Sequence, residues 1–192
     1  MNLPNKLTLL RIILIPVMVA IYLLWGDYSI LAYWVMGIIF VIASFTDFLD
    51  GYIARKQNIV TTFGKFMDPL ADKLLVMTAL LILADAATKT LMPAIWMPFW
   101  VPLIILTREF IVTSVRLVAI GEGKVIAASK LGKAKTALTM TAIIWYLFLM
   151  PSDLHIIING IGWSLMGASV LMTLVSGFDY VWKNRVIIFS QR

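Results

Sequence analysis

Six stretches of this chain, residues 7–25, 30–46, 74–84, 91–107, 136–150 and 156–178, contain only one charged side chain between them, Arg11. A helix needs ~20 residues, rising 1.5 Å each, to cross roughly 30 Å of hydrocarbon. The shorter stretches reach that length only by taking in charged neighbours, so some charges must sit at membrane depth. No stretch alternates apolar and polar residues as a membrane strand does, which leaves helices. The expected fold is all-α, a polytopic membrane protein built as a six-transmembrane-helix bundle, with residues 1–192 forming a single domain.

Composition supports this and excludes other classes. Hydrophobic residues make up 61% and charged residues 14%, against about 25% charged in soluble domains. A mean hydropathy of +0.95 is also too high for a disordered chain. With no cysteine and a single histidine, disulfides, thiolate or histidine-rich metal sites and cysteine catalysis are excluded. The net charge of +6 would suggest nucleic acid in a soluble protein. In a membrane protein it reads as orientation and contact with anionic lipid, so no nucleic-acid partner is expected.

Of the sixteen basic residues, all but Lys89 fall on one set of connecting segments: the N-terminus, 47–73, 108–135 and the tail. The positive-inside rule makes that side the cytoplasm of a cell-membrane protein, with both termini and the acidic segment facing it. The first span lacks a small-residue cleavage site and is expected to be retained. Pro93, Pro98 and Pro102 are expected to bend one helix.

The acidic segment carries the chemistry. Asp47 and Asp50 lie three apart, and Gly64, Asp68 and Asp72 follow at steps of four, so each set shares one helix face. Two antiparallel helices turning near residues 57–62 are expected to bring the four carboxylates together on the cytoplasm-facing side. Each buried carboxylate costs about 2.5–3.5 kcal/mol on insertion scales, so four without cations approach the ~5–15 kcal/mol stability of a domain. Oxygen ligands without histidine or cysteine favour Mg²⁺ or Mn²⁺, and four carboxylates suit two such cations. Gly51, Ala54 and Gly64 leave room for a bulky anion, Arg55 offers a planar fork to a phosphate, and Thr61 and Thr62 offer hydroxyls.

The pattern over residues 47–72, D-x2-D-G-x2-A-R-x8-G-x3-D-x3-D, resembles the signature of the CDP-alcohol phosphatidyltransferase family at every fixed position. Residues 4–11, PNKLTLLR, are similar to the family's N-terminal segment. Residues Thr107 to Phe110, followed by Arg116, are similar to the bacterial branch whose acceptor is glycerol 3-phosphate. The resemblance implies that CDP-diacylglycerol donates its phosphatidyl group to an alcohol and releases CMP in a cytoplasm-facing polar cavity. It implies that Asp47, Asp50 and Asp68 ligate metal, and that Asp72 is both ligand and general base. Gly51, Ala54, Arg55 and Gly64 are then expected to cradle the CDP moiety, with Asn5 and Thr8 adding polar contacts near the diphosphate.

A second basic group, Arg108, Arg116, Lys133 and Lys135, lies in the fourth span and before the fifth. An anionic acceptor such as sn-glycerol 3-phosphate needs such a pocket, whereas serine does not; inositol phosphate is the nearest competitor and phosphatidylglycerol another. Glu109 and Arg116, seven apart, share a face, so that Arg116 can serve either the pocket or a structural ion pair with Glu109. Gly160, Gly162 and Gly167 suit close helix packing, in the bundle or in a homodimer. The rival from another class is a divalent-cation transporter. It is disfavoured because the acids stop near one membrane face and come with Arg55 and small residues.

Overall fold

In the computed structural model, the described residues are 3–26, 29–56, 62–89, 97–121, 126, 129–149 and 156–185; at residues 3, 4, 48, 51, 52, 54–56, 62, 63, 65 and 66 the description covers the backbone alone. They form six helices and no strand: α1 Leu3–Trp25, α2 Ile30–Lys56, α3 Thr62–Ala86, α4 Trp100–Gly121, α5 Lys130–Phe148 and α6 Ile156–Lys183. Three segments, Asn5–Trp25, Ile30–Asp47 and Ile156–Lys183, are long and apolar enough to cross a membrane. The chain is a membrane protein. In α3, α4 and α5 the apolar character is diluted by Asp68, Asp72 and Lys73, by Arg108, Glu109 and Arg116, and by Lys130, Lys133 and Lys135. The residues that lower their hydropathy are largely those that build the site.

Helix α1 packs against α2 and α3, α5 against α6 and α2, and α4 against α6. The main core joins Met18 and Tyr22 of α1, Met36 and Phe40 of α2, Leu75 and Leu80 of α3, and Ile143 and Tyr146 of α5. Large apolar side chains also point outward, with Leu23 74% and Phe178 70% exposed. An apolar surface of this extent needs lipid and not water to cover it. Hydroxyls join α5 to α6, where Thr139 and Ser169 share a 2.6 Å hydrogen bond, a contact suited to closely packed membrane helices. At the end away from the acidic segment, the Tyr22 hydroxyl donates to Asp85 at 2.5 Å.

The fourth helix differs from expectation. It begins at Trp100, and Pro98 precedes it as a non-helical residue whose carbonyl accepts from the Val101 N–H at 3.0 Å. A proline ring disfavours helical geometry in the residue before it, which stops the helix from extending backward. Of the two prolines described, Pro102 lies in the helix, in its first turn, where the missing N–H costs no helical bond; Pro93 lies outside the described residues. Helix α5 starts at Lys130, capped by the Ser129 hydroxyl, which accepts from the Gly132 N–H at 3.0 Å. Lys133 and Lys135 are therefore inside the helix and not ahead of it. Gly162 is buried in the bundle, whereas a side chain at Gly160 or Gly167 would meet open space.

Candidate active site

Thr8 and Arg11 lie three apart on α1, on the face that meets α2 and α3. Arg11 is fully buried. Its Nη1 donates to Asp47 Oδ1 at 2.5 Å, its Nη2 to Asp50 Oδ2 at 2.7 Å, and its Nε to the Ala43 carbonyl at 3.2 Å. The i,i+3 spacing of the two aspartates lets one guanidinium fork reach both. Thr8 Oγ1 donates to Asp68 Oδ1 at 2.6 Å. One face of α1 thus fixes three of the four carboxylates of the acidic segment, two through charge and one through a hydroxyl.

These carboxylates are suited to a hard divalent cation. They offer oxygen donors, and the Asp47 side chain, 36% exposed, is open to solvent while Asp50 is buried. Among the described residues no three carboxylates stand close enough to hold one ion as arranged here. Arg11 supplies the counter-charge for Asp47 and Asp50, as a buried ion pair requires.

Asp72, one turn beyond Asp68 on α3, lines two cavities. The smaller, about 150 Å³, is walled mainly by apolar residues of α3 and α4 such as Leu74, Ile105 and Phe110. The larger, about 820 Å³, is lined by Asp72 and Lys73 together with Arg108, Arg116 and Lys133. Lys73 donates to the Thr113 hydroxyl, which itself donates to the Glu109 carbonyl at 2.8 Å, tying α3 to α4 beside Asp72. Glu109 Oε1 accepts from Arg108 Nη1 and from Lys135 Nζ, each at 2.8 Å. Arg116 Nε donates to the Tyr180 hydroxyl at 3.2 Å, and the guanidinium sits 5.7 Å from that ring's centre. A carboxylate that can take a proton thus faces a pocket whose bases can hold an anion.

The family model described as CDP-alcohol phosphatidyltransferase matches residues 1–175. The chain belongs to the CDP-alcohol phosphatidyltransferase family. It is similar to a Bacillus subtilis protein named CDP-diacylglycerol--glycerol-3-phosphate 3-phosphatidyltransferase, 45% identical over an alignment that covers 95% of each chain. A Rickettsia typhi protein of the same name is 36% identical over 93% of this chain and 94% of its own. A probable phosphatidylglycerophosphate synthase of Mycobacterium tuberculosis is 38% identical over 94% of this chain and 80% of its own. The chain is a phosphotransferase of phospholipid biosynthesis, which decides against a cation transporter.

Of the residues that the phosphatidyltransferase signature singles out, Asp47, Asp50 and Asp68 meet α1, and Gly64 is buried. Gly51, Ala54 and Arg55 lie in the last turns of α2, where only the backbone is described, and Thr61 lies outside the described residues. Asn5 is one turn before Thr8 on α1. Of the second basic group, Arg108 and Lys135 are buried against Glu109, Lys133 is exposed, and Arg116 turns to Tyr180. Of the two readings of Arg116, the ion pair with Glu109 is not formed: Arg108 and Lys135 take that carboxylate, and Arg116 meets Tyr180. Arg11 was legible in the sequence as the one charge inside an apolar run, but its role as counter-ion to the acidic segment was not anticipated. Lys73, Ser176 and Tyr180 were likewise not singled out as site residues.

Proposed function

We propose that this chain transfers the phosphatidyl group of CDP-diacylglycerol to sn-glycerol 3-phosphate, giving phosphatidylglycerophosphate and CMP. The observation that carries the reading is that Asp72 lines one cavity with Arg108, Arg116 and Lys133. A base for a hydroxyl and cations for a phosphate thus lie within reach of one small acceptor. The relatives named for this acceptor give independent support.

In this reading all six helices span the membrane, with both termini and the cavity on the cytoplasmic side. Asp47, Asp50, Asp68 and Asp72 are the residues that would hold two divalent cations, Mg²⁺ or Mn²⁺, which when bound would supply positive charge to neutralise the diphosphate and favour departure of CMP. Arg11 and Thr8 keep the carboxylates of Asp47, Asp50 and Asp68 oriented. The end of α2 at Gly51, Ala54 and Arg55, with Gly64, Thr61, Asn5 and Thr8, receives the CDP part of the donor. Arg108, Arg116, Lys133 and Lys135 receive the acceptor phosphate.

Asp72 takes the proton of the acceptor's primary hydroxyl as that oxygen attacks the phosphorus bearing the diacylglycerol. The new P–O bond forms, the bond from that phosphorus to CMP breaks, and CMP leaves with the bonding pair. An acceptor screen with labelled CDP-diacylglycerol tests the proposal. Glycerol 3-phosphate is expected to be turned over fastest, and faster turnover of inositol phosphate, serine or phosphatidylglycerol would overturn it.

A further inference from the structure

Glu109 has no role in the reaction as written, yet its position in the cavity is unusual. Asp72 and Glu109 are the two acids among the described lining residues. Arg108 and Lys135 are only 9% and 3% exposed, and both donate to the same Glu109 oxygen at 2.8 Å. Neighbours on a helix point about 100° apart, so an ion pair between residues 108 and 109 is not one that helix spacing favours, and the Arg108 side chain has to adopt a conformation that reaches it.

Other parts of the fold make room for that conformation. A Cβ at Gly177 would stand 2.9 Å from Arg108 Cγ, and one at Gly132 would stand 3.3 Å from Arg108 Nη2. The same Nη2 donates to the Ser176 hydroxyl at 3.2 Å. Two buried cations converge on one acceptor atom, and without a carboxylate there they would repel each other.

We infer that Glu109 is a positioning residue for the acceptor subsite. Glu109 lines both cavities, Arg108 the larger and Lys135 the smaller; by holding one nitrogen of each 2.8 Å from a single oxygen, it keeps the two cations no more than twice that distance apart, a spacing that one phosphate group can bridge. It thereby selects a phosphorylated alcohol over the same alcohol without phosphate. The inference rests on the proposed function in one respect, that the acceptor carries a phosphate.

The test compares wild type, Glu109→Gln and Glu109→Asp in lipid nanodiscs, with glycerol 3-phosphate and with glycerol as acceptors. Glu109→Gln keeps the size and loses the charge. It is expected to lower kcat/KM for glycerol 3-phosphate by about ten- to a hundredfold through KM, as loss of charge-assisted bonds does. Turnover of glycerol and KM for CDP-diacylglycerol are expected to stay unchanged, so the selectivity ratio collapses. Glu109→Asp keeps the charge but is too short to reach both cations, and an intermediate ratio is expected. An equal fall for both alcohols, an unchanged ratio in either variant, or tighter binding of glycerol 3-phosphate would overturn the inference. If wild type does not prefer glycerol 3-phosphate, the proposed function fails and calorimetry with inorganic phosphate decides on Glu109. About tenfold weaker binding by Glu109→Gln supports the positioning role, and equal binding overturns it.

Discussion

Replacing Arg11 with methionine removes the guanidinium that three oxygens of α2 share, while leaving most of the side-chain volume in place. Asp50 is 2% exposed and its ion pair is 2.7 Å long. Removing one partner of such a buried pair costs about 3–5 kcal/mol. Asp47, whose side chain is 36% exposed, adds only about 0–1 kcal/mol because solvent screens it. For a chain of this size each kcal/mol moves the unfolding midpoint by about 2–4 °C, so a loss of about 3–6 kcal/mol in Arg11→Met is expected to lower Tm by about 6–24 °C. The assay is thermal unfolding in detergent without divalent metal, followed by circular dichroism. Adding Asp50→Asn removes the stranded charge and is expected to restore most of the loss, a coupling that a double-mutant cycle isolates. An Arg11→Met midpoint within about 2 °C of wild type, or no recovery in the double variant, would refute the view that this ion pair anchors α1 to α2.

Two further outcomes follow from the same geometry. Thr8→Val keeps the shape of the side chain and removes the 2.6 Å bond to Asp68; kcat/KM for CDP-diacylglycerol is expected to fall about tenfold, equivalent to about 1.4 kcal/mol, with Tm little changed. In this cysteine-free chain, a cysteine at Thr88 is expected to react with an impermeant thiol reagent outside intact cells, while one at Lys56 or Gln191 is expected to stay unlabelled.

The sequence made the helices and the four-aspartate pattern legible because both are local. Apolar run length sets the first, and i,i+3 and i,i+4 spacing sets the second. Arg11 was harder to read because its partners lie 36 and 39 residues away. Spacing within one helix cannot say which face of a neighbour it will meet. The same limit explains Glu109: its i,i+7 relation to Arg116 was visible, but Lys135 arrives from α5 and Arg108 reaches it from the adjacent position, a pairing that helix spacing does not suggest. The start of α4 moved because Pro98, read as part of a bent helix, sits before the first turn. Lys133 and Lys135 were read as a loop because apolar runs were counted from uncharged residues, whereas the Ser129 cap starts α5 at Lys130.

The most direct test is CMP release from labelled CDP-diacylglycerol by the purified protein, with and without glycerol 3-phosphate. CMP and phosphatidylglycerophosphate are expected in equal amounts, and only when the acceptor and Mg²⁺ or Mn²⁺ are both present. Asp72→Asn is expected to bind the donor and form neither product, since a base acts in the transition state. Full turnover in chelator, full turnover by Asp72→Asn, or CMP release indifferent to glycerol 3-phosphate would contradict the account.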